Sequence, residues 1–162
     1  MDTLRFITFE GGEGAGKSTQ LSALAERLRQ AGRDVITTRE PGGSPDADVL
    51  RELLVNGEAG RWSAAGETLL NFAARESHLN HTIRPALQAG KTVLCDRFAD
   101  STRAYQGAGG GVDERLLRAL ERVAVGETRP DLTIILDIPV EVGRERVHTR
   151  HGQDRDTDRF EK

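Results

Sequence analysis

Apolar and polar positions follow two periods along this chain. Runs with apolar centres at residues 4–10, 34–38, 91–96 and 132–136 read as short strands, and the first is near-continuously apolar, which suggests burial on both faces. Between them the period becomes helical. Leu21, Leu24, Ala25 and Leu28 mark a helix that stops at Gly32, and residues 46–55 make a second. Residues 67–89 carry Leu69, Leu70, Phe72, Ala73 and Ala74, with Pro85 marking a break or a new start. Residues 98–111 read as a polar loop or helix start, and residues 112–126 as an amphipathic helix through Leu116, Leu117, Leu120 and Val123. Strand, helix and strand within residues 4–38 make a parallel crossover unit. The whole pattern predicts an α/β fold, a doubly wound parallel sheet with helices on both faces.

The junction of the first strand and helix carries the most specific chemistry. Gly11, Gly12, Glu13, Gly14, Ala15, Gly16, Lys17, Ser18 and Thr19 fit the spacing of a phosphate-binding loop, Gly-x-x-x-x-Gly-Lys-Ser. Glycines let successive backbone N–H groups turn into one concavity, and the following helix adds the positive end of its dipole. Lys17 is then placed for the β- and γ-phosphates of a nucleotide and the Ser18 hydroxyl for Mg²⁺. A merely structural glycine turn would not need the lysine and hydroxyl as well.

Other candidates lie at the carboxyl ends of the strands, where open α/β sheets bind ligands. Arg39 and Glu40 sit in a Pro- and Gly-shaped loop after the second strand, and Arg51 on the next helix lies close to it. Phe72 and Arg75 share a helix side, either as a sandwich for a flat base or as core plus a snorkelling arginine. Asp96 and Arg97 end the third strand; they suit metal-bound water and phosphate, or a structural ion pair. Ser101, Thr102, Tyr105 and Gln106 offer neutral hydrogen-bonding groups better matched to a nucleobase edge than to phosphate. Arg144, Arg146, Arg150, Arg155 and Arg159 are interleaved with acids, either as a solvated charged helix or as a flap closing over a transferred phosphoryl group. His148 and His151 lack partners at a zinc spacing and read as surface residues.

Composition narrows the partners. The chain has 162 residues, enough for one domain with a real core, and a formal net charge of −3, too small to argue for nucleic acid or a membrane surface. Cys95 is the only cysteine, so no internal disulfide can form. A start almost directly on a strand and the lack of a spanning apolar run make a cytoplasmic protein the expectation.

Taken together, Glu10-Gly-Gly-Glu-Gly-Ala-Gly-Lys-Ser-Thr19, Thr38-Arg-Glu-Pro-Gly-Gly43, Phe72-Ala-Ala-Arg75, Asp96-Arg-Phe98, Ala104-Tyr-Gln-Gly107, Arg129-Pro-Asp-Leu132 and Asp158-Arg-Phe-Glu161 resemble bacterial thymidylate kinases over essentially the whole chain. The resemblance implies transfer of the γ-phosphoryl group of Mg·ATP to dTMP by a homodimer. It assigns ATP to Lys17 and the loop amides and the metal to Ser18, with Asp96 holding its water. Glu13 would face the acceptor sugar and metal, and Arg39, Arg51 and Arg97 would hold the dTMP phosphate. Arg75 and Thr102 would read the thymine edge, Phe72 would pack on the ring, and Tyr105 would crowd a ribose 2′-hydroxyl. Glu40, Ser101 and Gln106 complete the expected acceptor site.

Gly14 stands where some relatives carry an arginine. The similar bacterial type draws its catalytic arginine from a lid, here residues 144–160, with Arg150 the first choice and Arg146 the second. Two departures accompany the resemblance. Many relatives place the stacking phenylalanine four residues before the arginine, where this chain has Asn71. Relatives also continue past the lid into a helix, a fifth strand and a last helix, so a shortened single domain without that strand is expected. The rival readings are a kinase of this architecture with another nucleotide or nucleoside acceptor, and a nucleotide-switched regulatory NTPase. Against the latter, the sequence has no Asn-Lys-x-Asp guanine-reading motif.

Overall fold

The computed structural model describes residues 4–56 and 60–151, the side chains of 150 and 151 excepted. Four parallel strands make one sheet in the order β2-β3-β1-β4: β1 (Phe6–Glu10), β2 (Val35–Arg39), β3 (Thr92–Asp96) and β4 (Leu132–Ile135). β1 is paired on both sides, Phe6 opposite Val93 and Ile7 opposite both Leu94 and Leu132, which is why all five of its residues are buried. β2 lies beyond β3, with Arg39 opposite Asp96, so the two strands deliver their functional residues to the same edge.

The alternation of side chains across β1 and β3 sorts the core into two layers. Phe6, Val93 and Cys95 point to one face, where they meet Leu79, Ile83, Phe98 and Val125. Ile7, Phe9 and Leu94 point to the other, against Leu21 and Ala25 of α1 (Lys17–Gln30). A third cluster of Phe72, Leu117 and Ala124 joins α3 (Ala64–His78) to α6 (Glu114–Ala124). Helices therefore cover both faces, as the alternating pattern predicts. Among the described residues no helix is long and apolar enough to cross a membrane.

The helical segments differ in detail from the sequence expectation. α2 (Pro45–Val55) begins at a proline, whose missing N–H costs nothing in a first turn. α3 starts at a Ser63 cap, whose Oγ accepts from the Gly66 N–H at 3.1 Å. It then runs without a stop through a π-helical stretch, Leu79–Ile83, into α4 (Arg84–Gln88). Pro85 is the cause: its ring would clash in a regular helix interior, and the wider turn, with the Arg84 N–H on the Leu79 carbonyl, makes room. Residues 98–111 are also mostly helical. α5 (Ala99–Thr102) leads into a second π stretch, Arg103–Gly109, which turns Gln106 inward. α7 (Val140–His151) follows β4.

Candidate nucleotide-binding site

A cleft of about 590 Å³ opens at the carboxyl ends of β1, β2 and β3. At one end lies the loop 11–16. Gly11, at φ 134°, passes so close to the Leu136 carbonyl that any Cβ would collide with it. No side chain caps α1, so the amides of its first turn are left for an anion. Lys17 Nζ donates to the Gly11 and Gly12 carbonyls at 2.9 and 2.8 Å, folded against its own loop. Ser18 Oγ donates to Asp96 Oδ2 at 2.7 Å across the β1–β3 edge.

α7 comes down on the crown of this loop. Gly14, at φ 73°, faces the Gly143 backbone, and a Cβ at Gly143 would stand 2.7 Å from the Glu13 carbonyl. Arg146 Nη1 donates to the Gly14 carbonyl at 3.3 Å. α7 thus starts from a backbone-to-backbone contact with the loop 11–16.

The other end of the cleft is built around Asp96, Arg97 and Phe98. Arg97 has φ 69°, a conformation costly for a residue with a Cβ, and the turn is held by its neighbours. Its N–H donates to the Phe9 carbonyl at 2.9 Å; the Phe98 N–H donates to Glu10 Oε1 at 2.7 Å, and Ser101 Oγ to Glu10 Oε2 at 2.6 Å. The Arg97 guanidinium lies over the Tyr105 ring and donates to the Tyr105 hydroxyl at 3.2 Å. Arg51 donates to the Pro41 carbonyl at 2.9 Å, and Arg39 faces Asp48 at 3.7 Å with its side chain exposed. Three arginines are therefore gathered on one side of the cleft.

Burial pushes the Glu10 carboxyl above its ordinary value, against the hydrogen bonds from Ser101 and Phe98. Its protonated form is thus favoured in the folded state over the unfolded one, whose value is near 4.5. Stability contributed by Glu10 therefore rises as pH falls from the raised folded value towards 4.5, and the cost is complete above it. Urea unfolding at pH 7 and pH 5 should show the wild-type chain gaining on Glu10→Gln at the lower pH; the opposite slope would refute this. Cys95 is also pushed up, by its complete burial and then by Glu40, Asp96 and Glu10, and its thiol donates to the Arg97 carbonyl.

Arg75 closes the deep end. Its Nε donates to Glu40 Oε2 at 2.7 Å, and its Nη2 donates to the Phe98 carbonyl and Thr102 Oγ1 at 3.1 and 3.0 Å. Nη1 is buried with no partner among the described residues. Gln106 donates to Glu67 at 3.3 Å nearby.

This arrangement has known counterparts. The family model described as thymidylate kinase matches residues 9–162. The chain belongs to the thymidylate kinase family. It is 63% identical over 147 residues to the thymidylate kinase of Caulobacter vibrioides, covering 91% of this chain and 71% of that protein. The thymidylate kinase of Nitrobacter hamburgensis is 57% identical over 157 residues, covering 97% and 68%. The crystal structure of the Ehrlichia chaffeensis thymidylate kinase superposes with a TM-score of 0.78 at 39% identity, covering 90% of this chain and 82% of that one.

Against the assignments that the thymidylate kinase resemblance implied, the structure brings Glu13, Lys17, Ser18, Arg39, Glu40, Arg51, Arg75, Asp96, Arg97, Ser101, Thr102, Tyr105 and Gln106 to the cleft. Phe72 lies apart from these residues. Its ring is buried with Leu117 and Ala124, touches the Arg75 guanidinium at 4.8 Å, and does not line the cleft. A step of about 100° per residue explains it: Asn71 turns to the cleft and Phe72 to the core. Phe98 is the aromatic residue of that deep end, with the Arg75 guanidinium 5.2 Å from its ring. The side chain of Arg150, together with Arg155, Arg159 and the stretch Asp158-Arg-Phe-Glu161, lies outside the described residues.

Sequence reasoning missed Glu10 and His78. Glu10 ends an otherwise apolar central strand, a placement for a carboxylate that demands partners. His78 sits three residues after Arg75, on the same side of α3. Both signals were present in the sequence.

Proposed function

We propose that the cleft holds Mg·ATP at the loop 11–16 and dTMP at the arginine-lined end, and that the γ-phosphoryl group passes between them to give dTDP and ADP. The observation that carries this reading is that one cavity joins Lys17 and Ser18 to Arg39, Arg51 and Arg97, so both phosphate ends face one space. Members of the thymidylate kinase family catalyse this reaction. It is dominated by positioning and charge stabilisation, which is what fixed amides, a lysine and three arginines supply.

In this reading Lys17 leaves the Gly11 and Gly12 carbonyls for phosphate oxygens. The Ser18 hydroxyl and Asp96 carboxylate, already in contact, are hard oxygen donors suited to Mg²⁺ and its waters. Among the described residues no three His, Cys, Asp or Glu side chains gather as a cage; Mg²⁺ held by one or two protein oxygens plus substrate phosphates needs none. When bound, the ion neutralises charge on the β- and γ-phosphates. Arg97, Arg39 and Arg51 bind the acceptor phosphate, Glu13 faces the acceptor sugar, and Tyr105 crowds the position of a 2′-hydroxyl. Arg75 and Thr102 read the base edge.

Arg146, already at the loop crown, and Arg150 further along α7 are the candidate lid arginines. The chain acts as a single kinase domain, and the part of its lid that lies within the described residues belongs to α7. Exposed Leu69, Leu116 and Val123 on α3 and α6 support a homodimer through those helices.

The test is ADP release with Mg·ATP and dTMP, dUMP, UMP or AMP as acceptor, with the product identified directly. Conversion of dTMP to dTDP in clear preference is expected. Equal rates with the other monophosphates would overturn the base-site assignment, and nucleotide hydrolysis without phosphate on any acceptor would overturn the kinase reading.

A further inference from the structure

We propose that His78 is a positioning residue for acceptor recognition, acting through Glu40 on Arg75, and that it tunes the preference for a base edge bearing a carbonyl over one bearing an amino group. This rests on the base-site assignment of Arg75 above and adds a residue that does not line the cleft.

The guanidinium of Arg75 is almost fully committed. Nε is taken by Glu40, Nη2 by Phe98 and Thr102, and the rings of Phe72 and Phe98 lie 4.8 and 5.2 Å from its carbon. Only Nη1 has donors to spare. Arginine has no acceptor, so this remaining position favours a carbonyl oxygen and disfavours an amino group. Selection of that kind is strong only if the donor cannot move to accommodate the wrong group.

Its fixity depends on Glu40. A carboxylate anchored at one oxygen can still turn about its broad last torsion, carrying the Arg75 contact with it. Here the second oxygen is anchored too: Glu40 Oε1 lies 3.0 Å from His78 Nδ1. An ionised carboxylate only accepts, so Nδ1 carries the proton and donates. In the neutral ring Nε2 is then the acceptor, and it receives the hydroxyl of Thr38 at 2.7 Å. Thr38 precedes Glu40 by two residues on β2, while the Glu40 N–H donates to the Asp96 carbonyl at 2.9 Å. The path Thr38, His78, Glu40, Arg75 thus ties the sheet edge to α3 and ends at the unspent Nη1.

The surroundings are shaped for this ring. His78 is 0% exposed, so neither nitrogen can turn to bulk water, and each has a protein partner. Gly43 passes so close that a Cβ there would collide with the imidazole. A residue serving only as core filling would need neither nitrogen.

The test compares His78→Leu, His78→Asn, Thr38→Val and Arg75→Lys in the full chain. The readouts are KM and kcat for dTMP, KM for ATP, thermal melting, and inhibition of dTMP turnover by 5-methyl-dCMP, which differs at the base edge by an amino group in place of the C4 carbonyl and by an N3 acceptor in place of the N3–H. His78→Leu is expected to raise KM for dTMP by about tenfold or more, with kcat and the ATP KM nearly unchanged and discrimination against 5-methyl-dCMP reduced. His78→Asn, whose amide offers a donor near the Nδ1 position, should restore much of both. Thr38→Val should move the same ratio in the same direction by less. Wild-type discrimination in His78→Leu, or a loss that follows melting temperature and kcat and that His78→Asn does not repair, overturns the proposal. If His78→Leu does not fold, unchanged discrimination in Thr38→Val overturns it instead. An Arg75→Lys chain with wild-type KM and discrimination would remove the base-site assignment itself, a failure distinct from that of the relay.

Discussion

Replacing Lys17 by methionine will lower kcat by about 10³-fold and leave a folded protein. The side chain is buried and holds two loop carbonyls, so its removal also costs some stability. That contribution is small beside the catalytic one. Two amide carbonyls can accept from other donors, whereas the charge developing on the transferred phosphoryl group has no substitute for a positioned cation in the loop. The thermal midpoint should fall by only a few degrees, about what 1 kcal/mol produces in a domain of this size. Single-turnover phosphoryl transfer together with calorimetric melting checks both halves. Retained turnover would show that the loop amides and arginines suffice without Lys17.

Glu40→Leu is expected to be the most destabilising single change among the site residues, by about 3–5 kcal/mol in urea unfolding. Glu40 and Arg75 side chains are 4% and 3% exposed, and the pair lies where neither ion can recover water. Removing the carboxylate leaves Arg75 a buried cation with neutral partners and takes the acceptor from His78. The double change Glu40→Leu with Arg75→Met removes the stranded charge as well and should recover part of the loss. A double variant no more stable than Glu40→Leu would mean that the cost arises from packing rather than from the unpaired ion.

The fold was legible because its signals are local. Strand lengths, the glycine stop at Gly32 and the loop motif each occupy a few neighbouring residues, and their order alone selects a parallel sheet with crossover helices. The π-helical turns were not. A proline at 85 announces an interruption, but whether the chain breaks or widens depends on what packs around Leu79 and Ile83, both fully buried. In the site, residues at strand ends could be put forward as candidates because the sheet edge gathers them. Which of Asn71 and Phe72 meets the cleft was not legible, because one helical step exchanges cleft for core. Glu10 and His78 were passed over because their partners are remote in sequence, at Phe98 and Ser101 for one and at Thr38 and Glu40 for the other.

The close meeting of Gly14 and Gly143 limits how this enzyme could be re-engineered. An arginine grafted at position 14 would set a Cβ into the Gly143 carbonyl and require φ 73° of a residue that carries a Cβ. α7 would have to lift, carrying Arg146 off the Gly14 carbonyl. Under the proposed reading, in which α7 supplies the transition-state cation, the two placements are therefore alternatives, and converting one into the other means exchanging the loop and the first turns of α7 as a single cassette.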